Sequence, residues 1–147
     1  MKVLWAPWRM EYILTDQEKG ECIFCPGDDR SQDEARLILY VGSQSMVVMN
    51  RFPYINGHLL VAPVRHGPDL EFLSGEETLD LLVMVRRSIA ILKEEISPEG
   101  FNVGLNLGRV AGAGYMTVFG EVRVIPEHIE ETYHKLLPHF QEIKPRR

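Results

Sequence analysis

The stretch RLILYVGSQSMVVMNRFPYINGHLLVAP, residues 36–63, decides the fold class. Two apolar runs, Arg36–Val41 and Ser45–Asn50, flank the turn-forming GSQ, which predicts a hairpin. After the turn-rich NRFPYING, the run His58–Pro63 supplies a third strand. Three strands joined by short polar turns argue for an antiparallel meander, since parallel pairing needs long crossovers.

Downstream, Ser74 followed by Glu77 is a capping-box signature. Leu82, Val85, Ile89, Leu92 and Ile96 then repeat at helical spacing, predicting one apolar face, and Pro98 and Gly100 end the helix. Phe101–Gly108 alternates Phe101, Val103, Leu105 and Leu107 against Asn102, Gly104 and Asn106, the pattern of a half-buried strand. Met116–Ile125 reads as another strand, with Gly120 as a bulge or bend. Residues 127–143 predict a C-terminal helix that groups Ile129, Tyr133, Leu136, Phe140 and Ile143, kinked at Pro138. Residues 1–20 carry Trp5, Trp8 and Tyr12, an aromatic segment expected to dock on the core or on a second subunit. The expectation is α+β: one antiparallel sheet of about five strands with two main helices, in one domain over residues 1–147.

Composition narrows the function. Hydrophobic residues at 45% and charged residues at 25% are ordinary for a globular chain and exclude disorder. No apolar run is long enough for a membrane helix, so a soluble, cytoplasmic protein with no membrane partner is expected. The net charge of −5 argues against a broad nucleic-acid surface. Two cysteines cannot build a disulfide framework.

Three features bear chemistry. Cys22 and Cys25 form a CxxC, spaced for two zinc ligands or a redox pair, and His66 is the best third ligand. His58 opens a strand after the stiff turn of Pro53 and Gly57. NLGRVAGAG places small residues at a strand end, where backbone N–H groups can approach a phosphate beside Asn106 and Arg109.

In this order, CIFC, then VVMNRFPYINGHLLVAPVRH, then a helix, then GFNVGLNLGRVAGAG closely resemble the histidine-triad (HIT) superfamily. The opening LWAPWRMEYI and the closing VIPEHIEETYHKL resemble its bacterial branch of diadenosine tetraphosphate phosphorylases and hydrolases. The resemblance implies a homodimer that binds a purine nucleotide or dinucleoside polyphosphate in a cleft on one sheet face. It further implies that no cofactor is required, and members of the family cleave at an α-phosphate through a nucleotidyl-histidine. It also implies that Asn50 holds the ribose, that Arg51 packs near the base with Ile23 and Phe24, and that Asn106 and Gly112 approach the phosphates. His58 is then a supporting histidine, and Cys22, Cys25 and His66 match the ligands of zinc-bearing members.

The family's HxHxH is nevertheless absent. The five histidines are His58, His66, His128, His134 and His139, and none lies between Gly114 and Pro126. One alignment replaces the triad by Phe119, Glu121 and Arg123. The other, which is preferred, deletes the triad strand and its loop between Gly114 and Met116, because MTVFGEVRVIPEH resembles the segment that normally follows them. Met116–Ile125 then has the alternation to enter the vacant slot. Such a chain has no catalytic nucleophile. The alternatives are an active nucleotidyl hydrolase or phosphorylase whose triad strand is missing from the 147 residues, and a non-catalytic interaction module on the same scaffold.

Overall fold

The computed structural model describes residues 22–51, 57–67, 69–107, 117–122 and 129–144, with 117–122 as backbone. The aromatic segment 1–20 and the AGAG loop with Gly112 lie outside the described residues. The elements are β1 (Ile38–Val41), β2 (Ser45–Met49), β3 (Leu59–Pro63), α1 (Gly75–Ile96), β4 (Phe101–Asn106), β5 (Thr117–Val122) and α2 (Ile129–Gln141). The strands form one sheet in the order β1-β2-β3-β5-β4, and every neighbouring pair is antiparallel. The α+β expectation holds.

The meander forms because alternate residues satisfy both faces of the sheet. Leu37, Leu39, Val47, Met49, Leu59 and Val61 face the two helices and form the main core with Leu81, Met84, Leu92, Leu136 and Phe140. Ile38, Met46, Val48, Leu60 and Ala62 point the other way and pack with Phe24. β2 and β3 are therefore buried on both faces.

The capping box at Ser74 is complete: its hydroxyl accepts from the Glu77 N–H at 3.2 Å, and the Glu77 carboxylate accepts from the Ser74 N–H at 2.7 Å. At the other end, Ser97 adopts φ +49° and its N–H donates to the Lys93 carbonyl before Pro98 stops the helix. The buried stripe of α1 is Leu81, Met84, Val85, Ser88 and Leu92. Leu82, expected on that stripe, is 62% exposed. Residues 81–85 are all apolar, and at about 100° per residue Leu82 lies roughly a quarter turn from the centre of the stripe that Leu81, Met84, Val85, Ser88 and Leu92 form.

Two further expectations change. Gly120 makes no bulge, because Val118, Phe119 and Gly120 pair in unbroken register with both β3 and β4. β4 is not half-buried: it is the last strand of the sheet, and Val103, Leu105 and Leu107 are 45%, 44% and 49% exposed. At Pro138, α2 carries on to Gln141, and the ring's missing N–H costs one hydrogen bond. The buried Tyr133 hydroxyl on α2 donates to the Ile38 carbonyl of β1 at 3.0 Å. Among the described residues no helix is long and apolar enough to cross a membrane.

Candidate functional site

The sheet face away from the helices collects the polar residues of interest. Asn50 follows Met46 and Val48 on that face, and its N–H donates to the His58 carbonyl at 2.9 Å, extending the β2–β3 ladder. His58 precedes Leu60 and Ala62 on the same face, buried, with its Nδ1 3.3 Å from the Asn50 amide Nδ2. Gly57 beside it adopts φ +80°, which suits glycine at the end of the β2–β3 connection. Leu60 stands opposite Phe119, and Phe119 opposite Gly104, so Asn102, Gly104 and Asn106 share this face too. A Cβ added at Gly104 would meet nothing within 4 Å, so the middle of this polar row is open.

The register also sets the length of the site. Met49, Leu59, Gly120 and Val103 lie in one row across the sheet. Asn50 is one residue beyond that row and Asn106 is three residues beyond it in the opposite direction, a span of roughly 13 Å along the strands at ~3.3 Å per residue. Asn50 and Asn106 thus share a face without meeting, at the two ends of an extended surface.

Residues 22–25 close one side of that surface. The Cys25 N–H donates to the Cys22 carbonyl at 3.1 Å, a tight turn that buries Phe24 against the sheet and leaves Ile23 36% exposed. The turn is held by a residue that sequence reading placed only at a strand start. The Arg36 guanidinium donates to the carbonyls of Pro26 at 2.9 Å, Cys25 at 2.8 Å and Ile23 at 3.2 Å. No local pattern announces a guanidinium that serves carbonyls ten to thirteen residues away. Arg51 is turned toward the chain before β1, where it donates to the Ala35 carbonyl.

Cys22, Cys25 and His66 come together as the spacing predicts, with their ligand atoms all within 4.8 Å of one another. Cys25 Sγ lies 3.4 Å from His66 Nδ1. Burial pushes the Cys22 thiol up to about 11, with the neighbouring Cys25 adding to it. Donors of one zinc tetrahedron stand ~3.3–3.8 Å apart, so two sulfurs and an imidazole at these separations fit the metal after a small contraction. Among the described residues no fourth His, Cys, Asp or Glu joins them.

Residues 31–118 match the HIT domain family, ending inside β5. The chain belongs to the HIT family. It is 31% identical over 158 aligned positions to the AP-4-A phosphorylase of Mycobacterium tuberculosis, which takes in 88% of this chain and 79% of that protein. The bis(5'-nucleosyl)-tetraphosphatase [asymmetrical] of Schizosaccharomyces pombe is 30% identical over 89 residues, 60% of this chain and 48% of that one. Among solved structures, a zinc-bound histidine triad family protein from Mycobacterium smegmatis superposes with a TM-score of 0.62 at 19% identity. That superposition covers 72% of this chain and 84% of the other, and it shows the shared fold.

Proposed function

We propose that this HIT-family chain binds a purine nucleotide or dinucleoside polyphosphate along the sheet face away from α1 and α2 and does not cleave it. The observation that carries the binding reading is that Phe24, Asn50, His58 and Asn106 share that one face. Asn50 is the donor for the ribose hydroxyls, with His58 fixing its side chain. The turn of Ile23 and Phe24 flanks the base with Arg51, and Asn106 stands toward the phosphates with the small residues around Gly112. The similarity to an AP-4-A phosphorylase and a bis(5'-nucleosyl)-tetraphosphatase supports this ligand class.

Loss of catalysis follows from what the chain offers as a nucleophile. Covalent transfer needs a nucleophilic side chain aligned on the phosphorus, and distant bases do not replace it. The strand that fills the place between β3 and β4 is Thr117–Val122, which has no histidine. Among the described residues, His66 adjoins Cys25, while His134 and His139 stand on α2 beside Glu34 and Glu95. His58 is buried next to Asn50. The 158-position alignment exceeds the 147 residues of this chain, so the mycobacterial relative carries residues that face a gap here.

The same gap favours a second reading, an active hydrolase or phosphorylase whose triad strand is missing from the 147 residues. Intact mass separates the two. A mass matching 147 residues supports the binder, and a mass about 2 kDa higher, one strand and a connection, supports the enzyme. For the 147-residue chain, ADP and diadenosine tetraphosphate should raise the melting temperature. Release of nucleotide from diadenosine tetraphosphate above a buffer blank would refute the loss of catalysis. No melting shift at millimolar ligand would leave the scaffold as an interaction module.

The partner is a second copy of the chain. Lys93 lies 5.9 Å from the Phe101 ring, which turns the stripe of Leu79, Leu82, Arg86 and Lys93 toward β4. Leu79 and Leu82 on α1 and Val103, Leu105 and Leu107 at β4 are all exposed, and among the described residues no strand pairs with the outer edge of β4. Two-fold pairing through that edge would cover them. Structural zinc on Cys22, Cys25 and His66 would brace residues 22–25 against the β3 end, with a fourth donor from outside the described residues or from water. Metal analysis of the purified protein tests it.

A further inference from the structure

The CxxC has a second chemistry available, and the turn between its cysteines is the turn that flanks the proposed base site. Both cysteines are free thiols, and their sulfurs lie within 4.8 Å of each other. The hydrogen bond from the Cys25 N–H to the Cys22 carbonyl closes a four-residue turn. Such turns hold their end Cα atoms within ~7 Å, which overlaps the ~4.4–6.8 Å that a disulfide spans. Bond formation therefore needs the sulfurs to approach, without a rearrangement of the chain.

The two thiols differ in surroundings. Cys25 adjoins the exposed His66 imidazole, while Cys22 packs against the apolar cluster of Phe24, Ile38, Met46 and Val48. Arg36 pins the carbonyls of Ile23, Cys25 and Pro26. Cys22 packs on the same apolar cluster as Phe24, so turning its sulfur toward Cys25 withdraws it from that cluster and changes the contacts beside Phe24.

We infer that Cys22 and Cys25 close a reversible intramolecular disulfide in exchange with a low-molecular-weight disulfide, and that closure alters the sheet face beside Phe24. In the first step the Cys25 sulfur attacks one sulfur of the reagent, whose S–S bond breaks and releases one thiol. The Cys22 sulfur then attacks the Cys25 sulfur of the mixed disulfide and releases the second thiol. The two cysteine protons end on the released thiols; the protein is oxidised by two electrons and the reagent is reduced by two. Closure also removes two of the three donors that a metal would use, so metal and disulfide exclude each other.

The disulfide itself is independent of the nucleotide reading, whereas its effect on ligand affinity rests on that reading. The test starts from the full chain after chelation with EDTA, incubated with oxidised glutathione and weighed intact. The expected product is a monomeric chain lighter by two hydrogens, restored by dithiothreitol. Cys22→Ser should stop at the mixed disulfide, heavier by one glutathione moiety. An unchanged wild-type mass, a persistent glutathione adduct on the wild type, or disulfide-linked dimers would overturn the inference.

The second arm compares the ADP-induced melting shift of the oxidised and reduced protein. The oxidised form should show at most half the shift of the reduced form. Equal shifts would overturn the coupling to the sheet face. No shift in the reduced form would overturn the nucleotide reading and the coupling together, and the mass result would still decide the disulfide.

Discussion

Strands β2 and β3 pair over five residues with every side chain buried, while β4 pairs over six residues with β5 and leaves its apolar alternate residues near half exposed. Both pairs are antiparallel and in continuous register. The difference lies in what covers them. The helices lie over β2 and β3 on one side and Phe24 packs on the other, whereas β4 stands at the rim. Alternation in a sequence thus reports which residues share a face, and the neighbours decide whether that face is dry.

Substitution separates the two regions. Leu59→Ala, at a fully buried position, should cost about 2–5 kcal/mol, because a cavity remains between sheet and helix. The denaturant midpoint measures it. A loss below about 1 kcal/mol would mean that the centre of the sheet is no better packed than its rim.

Next in size is the cap of the helix that covers the centre. Arg65 donates from Nε to Glu77 Oε1 at 2.7 Å and from Nη2 to Oε2 at 2.6 Å. Together with the Ser74 N–H, these bonds hold the Glu77 carboxyl down at about 2, against 4.5 ordinarily. A carboxylate with a lowered folded value stabilises the protein above its ordinary value. That contribution should decline as pH falls from 4.5 toward 2. Glu77→Gln should flatten this part of the pH–stability curve and cost about 1 kcal/mol at neutral pH. Parallel acid dependence of wild type and variant would remove Glu77 from the account.

On the sheet face away from α1 and α2, Asn50→Ala should weaken nucleotide binding by at least ~1 kcal/mol through loss of the proposed ribose donor. Isothermal titration measures it, and unchanged affinity would remove that role. The smallest expected effect is at the rim. Leu105→Ala should change the folding free energy by less than about 0.5 kcal/mol at low protein concentration, while weakening self-association in sedimentation. A large folding loss in the dilute monomer would erase the contrast between rim and centre.

Much of the fold was legible because its signals are local. The hairpin turn at Gly42, the Ser74–Glu77 box and the spacing of Tyr133, Leu136 and Phe140 each depend on residues close in sequence. What failed depended on neighbours. Leu82 lost to Leu81 because an unbroken apolar run has no phase of its own, and β4 is exposed because nothing described lies beyond it. At the candidate site, the CxxC and His66 were legible from residue type and spacing. Arg36 was not, since its role rests on carbonyls that only the folded turn brings to it.

The bond from the Tyr133 hydroxyl to the Ile38 carbonyl joins residues 95 apart, and it has a consequence for biosynthesis. The first strand leaves the ribosome well before the helix that fastens it. At ~5–20 residues per second the interval is roughly 5–20 s, long compared with strand pairing. Throughout that time the nascent sheet carries an apolar flank that only the last helix will cover. The order of synthesis therefore leaves this flank of β1 uncovered until α2 has been made.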